Sequence, residues 1–144
     1  MKITIEETQC EEDEIVIRCN GVDEDLLRII SFIKTQKNAI VGYEKDNIHR
    51  IMPADIYYFE AVDNKVFLYC KKDVFETKQK LYELEQELAM QDFFRISKSV
   101  IVNIKKIKYV SPAFNGRFEA TMLNGEKVII SRQYVSEFKK RLGC

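Results

Sequence analysis

What narrows this chain most is its rhythm after Ala39, where nine short runs of β-branched and aromatic residues are punctuated by residues that turn the backbone. The runs are Ile40–Tyr43, Asn47–Met52, Ile56–Glu60, Lys65–Cys70, Phe93–Ile96, Val100–Asn103, Ile107–Val110, Arg117–Leu123 and Lys127–Ile130. Such side chains suit a pleated, half-buried surface, so each run reads as a strand. Pro53 stops one strand because it has no N–H for a ladder, and Asp63-Asn64 supplies a hairpin turn. Asn115-Gly116 and Asn124-Gly125 fall where tight hairpins want positive φ. The fold class that follows is mainly β.

Two stretches break the rhythm. Across Thr77–Met90, Leu81, Leu84 and Leu88 stand at i, i+3 and i+7 among Lys, Glu and Gln, which predicts an amphipathic helix lying on the sheet. At the other end Ser131 can cap a terminal helix with Val135, Phe138 and Leu142 on one apolar face. Before the β-rich part, alternation in Lys2–Glu6 and Ile15–Cys19 predicts two strands joined by an acidic loop. Asn20-Gly21 then turns the chain and Asp23 can cap. Glu24 and Asp25 favour a helix start, and Leu26, Leu27, Ile30 and Ile33 recur at helical spacing to an end near Lys37-Asn38. The chain thus divides into a small acidic ββα region, 1–38, and a mainly β domain, 39–144. The first piece buries too little to stand alone and is expected to pack on the second or on a partner.

With 144 residues, 46% of them hydrophobic, the chain can form one core without disulfide or metal, and it is too apolar for disorder. No apolar run approaches the roughly 18 residues of a membrane span. Met1–Glu7 turns acidic where a signal peptide needs its apolar stretch, so the expected address is cytoplasmic. The four cysteines, Cys10, Cys19, Cys70 and Cys144, are 9, 51 and 74 residues apart, unlike either zinc-site pairs or a redox C-x-x-C. Cys19 and Cys70 lie among alternating apolar residues and read as small core hydrophobes, while Cys144 is a thiol at a frayed end.

The balance of 23 basic and 23 acidic residues conceals segregation. Residues 1–37 hold nine acids and five bases, a net of −4, whereas 95–144 hold eleven bases and three acids, a net of +8. A cationic excess of that density attracts polyanions, although a solvated surface can carry it with no partner.

Catalytic machinery is missing. His49 is the only histidine, which removes His-based triads and multi-His metal sites, and a lone histidine near a strand is more often structural or solvated. Neither phosphate-cradling glycine motif occurs, and Asn124-Gly125-Glu126-Lys127 is a charged turn. No enzymatic activity, cofactor or metal is expected.

What stands out is the placement of basic and amide side chains in turns and at strand ends: Asn64 and Lys65; Arg95, Ser97, Lys98 and Ser99; Asn115 and Arg117; Ser131, Arg132 and Gln133. Taken singly, each is as well explained as a solvated turn. Taken together on a rigid sheet, they are the donors that grip phosphate oxygens, and Arg and Lys can also reach the acceptor edge of guanine. Two other readings compete. Tyr57, Tyr58, Phe67 and Tyr69 could stack on single-stranded bases, but they sit in strongly apolar strands that favour core packing. The acidic region could instead make the chain a protein-interaction or regulatory module with an incidental basic face.

Several ordered blocks carry a family resemblance. Ile56-Tyr57-Tyr58-Phe59-Glu60, Asp63-Asn64-Lys65-Val66, the Leu81–Leu88 helix, the run from Phe93 to Asn103, Ile107, Asn124-Gly125 and Ser131-Arg132-Gln133-Tyr134 together resemble the LytTR family, DNA-binding domains of bacterial transcription regulators. The resemblance spans roughly residues 40 to 142. It implies an elongated, mostly antiparallel β domain whose inter-strand loops, rather than a recognition helix, enter successive major grooves of double-stranded promoter DNA. By position it implies DNA-binding roles for Asn64, Lys65, Arg95, Ser97, Lys98, Ser99, Arg132 and Gln133. Some members carry a histidine in the first loop and an asparagine in the central block, where this chain has Lys65 or Val66 and Lys98, so a different target sequence is expected. Many relatives add a phosphorylated receiver, which 37 residues cannot hold, so the resemblance is to a stand-alone regulator without phosphorelay control. It further implies two copies on direct repeats or a homodimer, and a companion membrane protein as regulator.

Overall fold

The computed structural model describes residues 1–35 and 39–143. Lys37-Asn38, where the first helix was expected to end, and Cys144 lie outside the described residues. Each of the nine β-rich runs contains a strand, and the strands of the described residues form two antiparallel sheets. In the larger sheet are β1 (Ile40–Glu44), β2 (Asn47–Ile51), β3 (Tyr58–Val62), β4 (Lys65–Tyr69), β5 (Val74–Thr77), β6 (Phe93–Arg95) and β7 (Val100–Asn103), in the order β2-β1-β5-β4-β3-β7-β6. The smaller sheet orders β8 (Ile107–Pro112), β9 (Phe118–Met122) and β10 (Lys127–Ile130) as β10-β9-β8. Among the described residues three α-helices accompany them: α1 (Glu24–Thr35), α2 (Leu81–Glu87) and α3 (Arg132–Leu142).

Two apolar clusters explain how the layers hold. On one face of the large sheet, Phe59, Leu68, Phe93 and Ile101 pack with Leu81, Leu84 and Leu88 from α2 and its C-terminal continuation. On the other, Tyr58, Val100 and Val102 pack with Ala120, Met122, Val128 and Ile130 of the small sheet and Phe138 of α3. Successive strand residues point to opposite faces, so β7 is buried along its whole length and sends Ile101 one way and Val100 and Val102 the other. Asn103 at its end is buried and paired through both side-chain polar atoms: it donates to the Ile56 carbonyl at 2.9 Å and accepts from the Lys105 N–H at 3.1 Å.

Several expectations need correction. No strand forms over Lys2–Glu6 or Ile15–Cys19; residues 1–22 contain only bends and lie exposed throughout, so the first region is not a ββα unit. An alternating segment becomes a strand only when another backbone satisfies its ladder and something covers its apolar side, and these segments have neither. Cys19 is consequently exposed rather than part of a core, while Cys70 is half-buried against the cluster beneath α2. The α1 helix does form, with the Asp23 carboxylate accepting from the Leu26 N–H at 2.8 Å, and its Phe32 lines a cleft with Met52, Pro53 and Phe93. The second helix, Leu81–Glu87, is shorter than the expected Thr77–Met90: Thr77 belongs to an additional strand, Val74–Thr77, paired with β4, and residues 88–90 form turns. The third strand begins at Tyr58, two residues later than expected, after a 3₁₀ turn over Pro53–Asp55. Among the described residues no helix is long and apolar enough to cross a membrane.

Candidate nucleic-acid interface

Strand register decides which turns share an end of the molecule. Tyr58, Phe59 and Glu60 pair with Val102, Ile101 and Val100, so the β3–β4 turn lies beyond the start of β7, beside the β6–β7 loop. The Ala61 N–H donates to the Ser99 carbonyl at 2.8 Å and continues that ladder to the loop itself. In the small sheet, Phe118 faces both Pro112 and Ile130, which puts the β8–β9 turn and the start of α3 at one end. The two ends are one: the Ser131 N–H, at the N-cap of α3, donates to the carbonyl of Ile96 at 2.8 Å. Four connections, 63–64, 96–99, 113–117 and 131–133, therefore gather around the central loop.

Each is locally determined. Asp63 and Asn64 both take positive φ, 50° and 65°, as a two-residue hairpin with right-handed twist demands. Asn115 (φ 59°) and Gly116 (φ 73°) do the same in the β8–β9 turn. A Cβ on Gly116 would lie 3.1 Å from Arg132 Cδ, so this glycine also makes the shallow seat on which the Arg132 stem rests. In the central loop the Ser99 N–H donates to Ser97 Oγ at 3.2 Å, and the Ile96 N–H to the Val100 carbonyl at 3.0 Å. Ser131 occupies the expected N-cap position, but its side chain makes no capping hydrogen bond.

The eight sequence-derived residues all fall in or beside these connections, and they separate by what their side chains already do. Among the described residues, Asn64, Lys65, Lys98, Arg132 and Gln133 make no side-chain hydrogen bond or ion pair, and Lys98, Arg132 and Gln133 are exposed. Ser97 and Ser99 are half-buried and bonded within the loop. Arg95 is turned inward: Nε donates to the Ser97 carbonyl at 2.7 Å, Nη2 to the Lys98 carbonyl, and Nη1 to the Glu85 carboxylate of α2 at 3.2 Å.

Two further features were not singled out as site residues from the sequence. Phe114, at the tip of the β8–β9 turn, is 83% exposed, a large apolar ring two residues before the glycine that seats Arg132. Glu85 is tied to the central loop through Arg95, a link that no spacing rule announces. The cationic excess of 95–144 is also more dispersed than its sum suggests. Lys105 pairs with Asp92 at 3.1 Å near the far end of β7, Lys127 with Glu119 at 3.6 Å, and Arg141 donates to the Gln91 carbonyl at 3.0 Å.

The aromatic strands are not a stacking platform. Tyr57 and Tyr58 are buried, and Tyr58 stacks on Tyr69 with ring centroids 4.3 Å apart. Tyr58 donates to Glu126 at 2.7 Å and Tyr69 to Glu60 at 3.2 Å. Burial first, then the neighbouring carboxylates, raise both phenols, Tyr58 well above its usual range. His49 packs against the Phe75 ring at 4.7 Å. Among the described residues no group of His, Cys, Asp and Glu is arranged to hold a metal ion.

Comparison with known proteins follows the same outline. The family model of the LytTr DNA-binding domain matches residues 46–143. A solved structure, the LytTr DNA-binding domain of a Bacillus cereus methyl-accepting/DNA response regulator, superposes with a TM-score of 0.71 at 31% identity, covering 75% of this chain and 99% of that one. The sensory transduction protein LytT of Enterococcus faecalis is 33% identical over 108 residues, 75% of this chain and 45% of its own length. That of Bacillus cereus is 38% identical over 88 residues, 61% of this chain and 36% of its own. The chain thus spans less than half the length of these LytT relatives. A Staphylococcus aureus protein named as an uncharacterized HTH-type transcriptional regulator is 31% identical over 133 residues, covering 91% of this chain and 90% of that protein. The described residues contain no helix-turn-helix, since a strand follows α1 and α2 and each helix is separated from the next by strands.

Proposed function

Since the chain belongs to the LytTR family, we propose that it is a DNA-binding transcriptional regulator reading double-stranded promoter DNA with the four connections gathered around Ile96–Ser99. The observation that carries the reading is the Ser131 N–H to Ile96 carbonyl bond, because it joins loops from two sheets into one end. Lys65, Lys98 and Arg132 neutralise phosphates and release counterions, which gives affinity. Lys98 and Arg132 also reach base edges in the major groove, and Asn64 and Gln133 supply amide donors and acceptors there. Ser97 and Ser99 shape the central loop and offer hydroxyls to the backbone.

A rigid sheet suits this work. Its loops are short and pinned, so binding orders few side chains beyond the long cations. Two copies on direct repeats follow from the family likeness, and the acidic stretch within residues 1–37 is where a companion membrane protein acts. Coexpression with and without residues 1–37 tests the last point: equal capture counts against it.

The direct test of function is selection of bound sequences from a random duplex library. Recovery of a repeated motif, with duplex preferred over single strand, is the expected result. Equal retention of any polyanion would favour the interaction-module reading instead.

A further inference from the structure

The central loop presents Lys98, yet nothing in the loop's own sequence fixes how it does so. Four residues, Ile96-Ser97-Lys98-Ser99, connect β6 to β7, and Ile96 is buried. Two of their carbonyls, on Ser97 and Lys98, are taken by a single guanidinium, that of Arg95. The third contact of that guanidinium, Glu85 Oε2, belongs to α2, whose Leu81 and Leu84 are buried against the sheet. A planar guanidinium spreads its N–H donors over three nitrogens and so spans these three separated acceptors, whereas an ammonium carries all three of its donors on one atom. The Lys98 side chain is meanwhile exposed, with no hydrogen bond or ion pair to any described residue.

Resting on the DNA-binding reading above, we infer that Arg95 is a positioning residue for Lys98 rather than a reader of DNA, and that Glu85 on α2 holds Arg95 in that role. The guanidinium draws two carbonyl oxygens toward the protein and away from the phosphates. Its charge is shared with Glu85, so it adds little to counterion release. The specificity of the central loop is thereby coupled to α2, which lies outside the four connections.

The inference assigns opposite signs to two effects of the same substitution. Glu85→Ala removes a negative charge from a DNA-binding protein, and simple electrostatics then gives tighter binding to every duplex. Loss of positioning gives weaker binding to the selected duplex. The experiment measures affinity for the selected duplex and for random duplex across a salt series, with thermal unfolding as the folding control. Glu85→Ala is expected to weaken selected-site binding severalfold, and Glu85→Gln, which keeps an acceptor oxygen, to recover much of it. Arg95→Lys is expected to lose about tenfold on the selected site with an unchanged salt slope. Lys98→Ala, by contrast, lowers the slope by about 0.9, as loss of one phosphate contact does. Unchanged or tighter binding by Glu85→Ala overturns the inference, as does near-wild-type binding by Arg95→Lys.

A second readout works without DNA. In the free protein, Arg95→Lys and Glu85→Ala should both shift the amide resonances of Ser97–Ser99 and speed their hydrogen exchange. Unaltered amides would overturn the positioning role even where DNA binding is intact. Altered amides in a protein that binds no duplex would leave the Glu85–Arg95 hold on the loop standing and remove the DNA reading alone.

Discussion

Lys2–Glu6 alternates apolar and polar residues more strictly than Tyr58–Val62 does, but only the second is a strand. Ile3 and Ile5 are 83% and 86% exposed, while Phe59 is completely buried. The difference lies in neighbours. Tyr58–Val62 has β4 on one side and β7 on the other, with α2 over one face and the small sheet over the other. Residues 1–22 have six acids, two bases and no covering layer. Period-two patterning states what a segment can do; a partner decides whether it does so.

Substitutions at matched positions sharpen that comparison most. Phe59→Ala should destabilise the fold by ~3–5 kcal/mol through lost burial and the cavity left behind, whereas Ile5→Ala should stay within about 0.5 kcal/mol. Denaturant unfolding of both variants checks this, and a large loss from Ile5→Ala would mean that the first segment is covered in solution.

The next effect concerns the loops. Arg132→Ala should lose roughly 1–3 kcal/mol on the selected duplex and much less on random duplex, measured by titration at one salt concentration. Equal losses on both would make Arg132 a phosphate contact only. Replacing Gly116 by Ala should weaken binding through the same residue, since the new Cβ meets the Arg132 stem at 3.1 Å and the backbone sits at φ 73°.

A smaller effect is expected where the two sheets meet. Tyr58→Phe removes the hydrogen bond to Glu126 and should destabilise by about 1 kcal/mol, the usual net worth of such a bond, as read by thermal unfolding.

The smallest effect is chemical rather than energetic and contrasts the two regions directly. Cys10 and Cys19 are exposed, while burial, then Asp55 and Asp73, push the Cys70 thiol up to about 11. Residue-resolved alkylation at pH 8 should therefore modify Cys10 and Cys19 well before Cys70. The sign for stability follows: with its folded value raised, Cys70 contributes fully at neutral pH, and the contribution is lost as pH climbs from the free-thiol range through about 11. Equal alkylation rates would indicate that β4 opens easily at its end.

Much of the β domain is legible in the sequence because turn chemistry and strand alternation agree there. Asp63-Asn64 and Asn124-Gly125 each mark a real hairpin, and Asp23 caps the helix it was expected to cap. Val74–Thr77 was hidden because four residues beside Lys and Glu merge with the pattern of the following helix, and only pairing with β4 makes them a strand. The sequence names candidate residues but not how their side chains are engaged. Arg95 and Lys98 look alike in a list of bases, and their difference arises from Glu85, ten residues upstream on another element. Summed charge misled in the same way, since Lys105 and Arg141 make contacts at Asp92 and Gln91, away from the gathered loops.

The central claim is that one end of this molecule meets DNA, and amide chemical-shift mapping with the selected duplex tests it most directly. Perturbations should concentrate at 63–65, 96–99, 113–117 and 131–133. Their concentration instead around Lys71, Lys72, Lys105 and Lys106, with the four connections silent, would contradict it.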